Sequence, residues 1–315
     1  MILPVSGSQR LYRIISRRMQ QSISLKMRDS VKFLSMAVHI MKSSGLHERF
    51  DIQKLIDSLV RSGAPADVAL DIAEKVEREI TPSMRTKAIF RLAKKHLKQF
   101  NRASSMKYSL KKALYSLGPS GYPFEKYMAG ILKAHGYAVE VDRIMEGYCV
   151  KHEVDVLASR DDKHFAIECK YHNTGGNATD VKVALYVHSR FVDIRKACET
   201  MPGHGDFVHQ GWLVTNTRCT SDALKYAECV GLKVTSWRYP DSESLEKLIE
   251  EKRLYPVTIL PSARRRPLQV LFARDFILAK DIADIDGETF LRQSGLDPDT
   301  ARVLKRQADE LCPCG

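Results

Sequence analysis

Asp155, Glu168 and Lys170 stand in the run EVDVLASRDDKHFAIECKYH, with the acid-x-lysine pair thirteen residues beyond the first acid. The run reads as two strands joined at Asp161 and Asp162. If those two residues form the turn, Arg160 pairs with Lys163, and counting outward sets Asp155 opposite Glu168. Cross-strand neighbours hold their Cβ atoms roughly 5 Å apart. Lys170 lies two residues past Glu168 and so shares its face. Two carboxylates held that close repel by about 4 kcal/mol at an effective dielectric near 20, so a divalent cation, a proton or a lysine must offset them. Glu153 falls opposite Lys170, and a salt-bridged surface hairpin would also balance these charges. The alternating Val154, Val156, Phe165, Ile167 and Cys169 predict one buried face and leave the charges on a second, separate surface. Two acids that hold Mg²⁺, and a lysine that stabilises a phosphate or orients water, are what a metal-nucleotide site needs.

The flanking elements must position this cluster. GYPFEKYMAGILKAHGY predicts an amphipathic helix with Glu125 near its start and Phe124, Met128, Ile131 and Leu132 on its apolar face. The strand AVEVDRIMEGYCV follows. Downstream, Trp212 to Thr215 reads as a buried strand. Ser221 then caps a helix with Ala223, Leu224, Ala227 and Val230 in a stripe, Gly231 ends it, and Leu232 to Trp237 forms a last strand. This order, with Asp155 and then Glu168-Cys169-Lys170, resembles the PD-(D/E)xK nuclease core in its Mrr-like restriction endonuclease form, over about residues 119 to 240. Val154 stands where the name of the motif has proline. The resemblance implies a mixed sheet flanked by helices. It implies Mg²⁺ or Mn²⁺ on Asp155 and Glu168 with the Cys169 carbonyl as a further donor, Lys170 at the attacking water or the phosphorane, and Glu125 assisting.

A second pattern precedes the first. Val38 and Ile40 alternate as a strand, Ser43, Ser44 and Gly45 make a turn, and Phe50 ends a short return strand. Asp51 begins a helix with Leu55, Ile56, Leu59 and Val60 on one face, and Pro65 begins another with Val68, Ile72 and Val76. Two more helices are predicted, over Met84 to Phe100 and Ser104 to Leu117. Lys42-x-x-Gly45 followed by Phe50-Asp51-x-x-Lys54-Leu55 resembles the ATP-cone, a mostly helical nucleotide-binding domain with a small β-hairpin, to about residue 115. Ser43 replaces the arginine usual there. The resemblance implies that Lys42 and Lys54 meet the phosphates of ATP or dATP, that Phe50 lies near the nucleotide, and that the nucleotide regulates assembly rather than serving as fuel. GPSGYPFEK is not a phosphate-binding P-loop.

Charge points to the substrate. The net charge is +12, and no Asp or Glu occurs between Glu79 and Glu125. Lys87, Arg91, Lys94, Lys95, Lys98 and Arg102 fall on one predicted helical face, a stripe suited first to DNA phosphates and second to those of a nucleotide. Seven cysteines at irregular spacing argue against a disulfide framework. Together these readings predict a cytoplasmic multidomain α+β or α/β protein with no membrane partner. Residues 1–35 would be a disordered basic extension, 36–117 an ATP-cone, 118–240 a nuclease domain, and 241–315 a linker with a C-terminal helical hairpin. In that last region Pro256 to Pro267 reads as the linker, and Asp297, with Pro298 behind it, caps the final helix. The expected activity is metal-dependent cutting of double-stranded DNA by a homo-oligomer under nucleotide control. Two alternatives share these features: a nucleotide-sensing DNA-binding regulator with an inert core, and a structure-selective repair nuclease such as a junction resolvase.

Overall fold

The computed structural model of the chain describes residues 38–42, 45–200 and 208–313. The expected basic extension, residues 1–35, and Ser43 and Ser44 of the expected turn lie outside the described residues. Contacts divide the chain into two units. One comprises the chain up to Asp51 together with Glu79–Thr86, and the other Ile52–Arg78 together with everything from Lys87 on. In the first, β1 (His39–Met41) pairs antiparallel with β2 (His47–Arg49), as the alternation predicts. The Met41 amide donates to Met84 O and the Ser83 amide to His39 O, which ties Glu79–Thr86 to the hairpin.

The second unit opens with α1 (Ile52–Arg61) and α2 (Ala66–Glu79). Leu55, Ile56 and Leu59 are buried on α1, as are Ala69, Ile72, Ala73 and Val76 on α2. Val60, expected on the buried face, is exposed. Helix α3 (Thr86–Phe100) follows. The helix expected from Ser104 to Leu117 is instead two short ones, α4 (Arg102–Lys107) and α5 (Leu110–Leu114). Polar side chains accompany the break. Asn101 caps α4 through the Ser104 amide at 2.8 Å, and the Ser109 hydroxyl between the two helices accepts from Lys94 Nζ and donates to Ser105 O. Serine side chains that bond to nearby backbone compete with a continuous helix in this way.

Then come α6 (Tyr122–Ala134), β3 (Ala138–Glu146), β4 (Lys151–Arg160), β5 (Lys163–Lys170), β6 (Ala178–Thr179), α7 (Val181–Thr200), β7 (Gln210–Thr215), β8 (Arg218–Cys219), α8 (Ser221–Cys229) and β9 (Lys233–Thr235). The central sheet is mixed and runs β3-β4-β5-β7-β9, antiparallel up to β5 and parallel beyond it. Thr220 rather than Ser221 caps α8, its hydroxyl accepting from the Ala223 amide. One sheet face buries Val156, Phe165, Ile167, Cys169 and Trp212 with α6 residues Phe124 and Met128. On the other, Leu157 and Ala166 pack with Phe191 and Ile194 of α7. The strands are thus apolar on both sides in part, beyond the single buried face that the alternation predicts. Gly211 makes the α7 contact possible, since a Cβ there would lie 3.0 Å from Phe191.

The chain ends in α9 (Leu245–Lys252), α10 (Arg266–Ala273), α11 (Ala279–Ala283), α12 (Gly287–Ser294) and α13 (Pro298–Leu311). Asp297 caps α13 through the Thr300 amide, and Gly295 takes a positive φ of 67° at the preceding turn, as expected. The expected linker is not one. Val257, Ile259, Leu260 and Ala263 are buried in the same core as Leu114, Phe124 and Ile167. Its three prolines suggest a loose segment, but the apolar residues between them dominate. Among the described residues no helix is long and apolar enough to cross a membrane, and the six described cysteines are free thiols.

Asp193 on α7 fixes the β3–β4 turn. Its carboxylate accepts from the Cys149 amide at 2.9 Å, the Val150 amide at 3.3 Å and His152 Nε2 at 2.8 Å. Gly147 leaves room for it, because a Cβ there would fall 2.1 Å from Asp193 Oδ2. The bond from His152, and then those from Cys149 and Val150, hold the Asp193 carboxyl at about 2, below its ordinary 3.8. A group depressed on folding adds stability above its unfolded pKa and loses it as pH falls through the folded value. Asp193→Ala should therefore destabilise the fold at neutral pH, by roughly 1 kcal/mol once solvent screening at this turn is allowed for. In urea unfolding its gap from wild type should narrow as pH falls from about 4 toward 2. A gap of constant size down that range would contradict this account.

Candidate active site

The β4–β5 register is the one the turn dictates. Arg160↔Lys163, Ser159↔His164, Ala158↔Phe165, Leu157↔Ala166 and Val156↔Ile167 are paired. Asp161 and Asp162 take φ of 51° and 58°, the doubly left-handed turn that matches strand twist. The ladder stops one step short of Asp155 and Glu168. There, Asp155 Oδ2 accepts the Cys169 amide at 2.7 Å. On the other side of β4, pairing with β3 skips the Asp142–Asp155 step, and Asp142 has a φ of 53°. Beyond Ile167, β5 continues with β7 through Glu168↔Leu213 and Lys170↔Thr215. Strands β4 and β5 therefore part at the acids.

The parting opens a cleft of about 380 Å³ lined by Glu125, Asp155, Glu168, Cys169 and Lys170, with Pro119, Gly121 and the Tyr171–Asn173 stretch around them. Glu125 comes from the first turn of α6. Burial raises its carboxyl to about 7, and the charges of Asp155, Asp142, Glu153 and Glu168 add to the rise. Glu168 is also raised to about 7, by burial and then by Asp155, against the pull of Arg190 and Lys170. Asp155 is raised by burial, against the Cys169 amide and Arg190. The four predicted residues therefore share one cleft.

The counter-charge comes from an unexpected source. Arg190 of α7 donates to Glu168 Oε2 at 2.5 Å and to the Tyr186 hydroxyl at 2.8 Å, and it also reaches Glu153 O. Its guanidinium lies 5.2 Å from the Tyr186 ring centroid. The direct partner of Glu168 is thus Arg190, twenty-two residues along the chain, rather than Lys170. Asn216 was also not foreseen. Fully buried at the end of β7, it accepts the His172 amide at 2.9 Å and donates to His172 O at 2.7 Å, pinning the chain after Lys170. His172 also lines the cleft and is held below its ordinary value first by burial and then by Lys170.

Asp155, Glu168 and the Cys169 carbonyl offer only hard oxygen donors, the set that Mg²⁺ or Mn²⁺ takes. Their raised carboxyls are the state of an acid cluster that a cation would relieve. Among the described residues no three His, Cys, Asp or Glu side chains converge tightly enough to form a metal-holding group. The donor types fit a divalent ion, and Glu168 is turned to Arg190.

The other predicted residues are dispersed. Lys42 pairs with Glu48 at 2.6 Å in the first unit, which also holds Phe50, while Lys54 belongs to the second. In the basic stripe, Lys87, Arg91, Lys95 and Lys98 are exposed. Lys94 is instead half-buried against the Ser109 hydroxyl, and Arg102 reaches Glu310 at 3.4 Å. A single helical face does not describe these two, because Ser109 at the break between α4 and α5 meets Lys94, while Arg102 starts α4 and meets Glu310 of α13.

Residues 118–241 match the family described as restriction endonuclease, and residues 255–312 match the one described as AF1548-like, C-terminal. An uncharacterized protein of Archaeoglobus fulgidus is 38% identical over 184 residues, which are 58% of this chain and 99% of that one. A solved structure described as a protein of unknown function, AF1548, is 36% identical, with a TM-score of 0.53 over 61% of this chain and 98% of that chain.

Asp155 is the largest charge acting on Glu168 and on Glu125. In Asp155→Asn both remaining carboxyls should titrate at lower pH than in wild type, as read by carbon NMR of labelled glutamate. Unchanged midpoints would mean that the three acids are not coupled.

Proposed function

This chain belongs to the AF1548-like family and carries a restriction endonuclease domain, and from that premise we propose that it is a metal-dependent DNA endonuclease acting at the Glu125–Asp155–Glu168–Lys170 cleft. The observation that supports this most is the parting of β4 and β5, which opens one pocket onto three carboxylates, each raised first by burial, and a lysine. A bound Mg²⁺ or Mn²⁺ would supply Lewis acidity at a phosphate oxygen and a more acidic water. Asp155 and Glu168 would hold it. The Cys169 amide fixes Asp155 for that task by occupying one carboxylate oxygen. Lys170 brings its ammonium to the cleft, where it stabilises the pentavalent phosphorus or orients the attacking water. Glu125 adds a carboxyl that exchanges a proton near neutral pH, suited to moving one between water and the leaving oxygen. Arg190 holds Glu168 in the cleft until a stronger cation arrives.

Nicking of supercoiled plasmid in the presence of Mg²⁺ tests this. Asp155→Ala, Glu168→Ala and Lys170→Ala should each lower the rate by about 10²-fold or more, and Glu125→Ala by less. No Mg²⁺-dependent nicking by wild type, with DNA still bound, would favour an inert core serving a DNA-binding regulator. Nucleotide control is a separate part of the proposal. In the first unit, ATP or dATP would draw Lys42 from Glu48, with Phe50 in the same unit, and a phosphate contact by Lys54 is tested by itself. Titration with labelled ATP should show weaker binding in Lys54→Ala, and equal affinity would remove Lys54 from the phosphate site.

A further inference from the structure

The positive excess of the chain is concentrated. Residues 80–124 hold ten Lys or Arg and residues 252–274 hold six, with no acid in either segment; elsewhere the chain has 34 Lys or Arg against 38 Asp or Glu. These two segments therefore account for more than the whole net charge. They meet where α5 packs on residues 257–260. Thr258 Oγ1 donates to Ala113 O at 2.7 Å, and Leu110 and Leu114 share a core with Val257 and Leu260. Gathering like charges this way costs self-repulsion that packing alone does not require.

Some of these cations have local partners. Arg102 meets Glu310, Lys107 lies over the Tyr255 ring and Lys111 over that of Trp237. Lys94 is held below its ordinary value by burial and then by Lys112, Arg264 and Lys98, so all three charges act on it. The four exposed cations of α3, Lys112 and the triplet Arg264 to Arg266 all face solvent, and among the described residues no acid pairs with them. Arg265 takes φ 51° and ψ −121°, a conformation rare for a side-chain-bearing residue, so the backbone is sharply bent at the triplet.

This face leads to the cleft. Tyr115, at the end of α5, lies against Gly175, where a Cβ would be 3.3 Å from its ring. Gly175 belongs to the loop whose Asn173 and Asn177 line the cleft. Lys112 stands three residues before Tyr115, about 4.5 Å of helix rise away.

We propose that α3, Lys112 and the Arg264–Arg266 triplet form one docking face for duplex DNA, neutralising backbone phosphates and leading the duplex to the acidic cleft. The choice of DNA rests on the nuclease reading. The geometry adds that the AF1548-like C-terminal region grips substrate through its triplet. Its cations would contact phosphates, which position a duplex without reading sequence.

Fluorescence anisotropy with a blunt duplex, in the full-length Asp155→Asn protein without divalent metal, tests this across about 50 to 200 mM salt. Replacing the triplet by Arg264→Gln, Arg265→Gln and Arg266→Gln should weaken binding about tenfold or more and lower the slope of log affinity against log salt by roughly two to three. Lys95→Gln, Lys98→Gln and Lys112→Gln together should do the same, while Arg→Lys at the three triplet positions should keep the slope. Unchanged affinity and slope in the triplet variant would overturn the proposal. So would an equal loss in the Arg→Lys variant. The assay involves no cutting, so its failure leaves the nuclease reading standing, and an inactive cleft leaves this face standing.

Discussion

Everything at the cleft depends on one electrostatic constraint. Three carboxylates are partly withdrawn from water at the point where β4 leaves its neighbours, and each is raised first by burial. The arrangement is tolerable because Arg190 lies on Glu168 and the Cys169 amide lies on Asp155. A charge-assisted bond of this kind is stronger than a neutral one, and removing one partner leaves the other buried and unpaired. On the proposed reading, a divalent cation at this cleft would relieve all three acids at once.

Helix α7 is the element that maintains this poise. Its twenty residues pack Phe191 against Gly211 of β7, deliver Arg190 to Glu168 and Glu153, and place Asp193 in the β3–β4 turn. One rigid rod thus fixes both the sheet geometry and the counter-charge. From the other face, α6 brings Glu125, and Tyr127 of the same helix donates to Leu254 O at 2.7 Å. The C-terminal segments therefore buttress the helix that carries one of the acids.

Much of this was legible in the sequence because strand pairing is local arithmetic. Once Asp161 and Asp162 are taken as the turn, the register of β4 and β5 follows, and the structure has that register. Expecting Asp155 and Glu168 to face each other as a ladder pair went one step too far, since a parted ladder leaves no trace in alternation. Arg190 was not legible, because the pattern of α7 gives its buried stripe but not which exposed residue reaches back to a strand twenty-two residues earlier. Asn216 was hidden at the end of an apolar strand, in a Thr-Asn-Thr run that reads as an ordinary turn. Pro256 to Pro267 misled through composition, since proline marks irregular backbone and not exposure. The breaking of one predicted helix into α4 and α5 turned on serine hydroxyls that propensity alone does not weigh.

The central claim is that the parted strands form a divalent-metal site for phosphodiester hydrolysis. Anomalous scattering from a crystal soaked in Mn²⁺ tests it most directly. The account predicts one strong peak touching carboxylate oxygens of both Asp155 and Glu168, with Arg190 withdrawn from Glu168, and no such peak in Asp155→Ala. Manganese bound elsewhere, or no peak at the cleft with the Arg190–Glu168 pair intact, would contradict it.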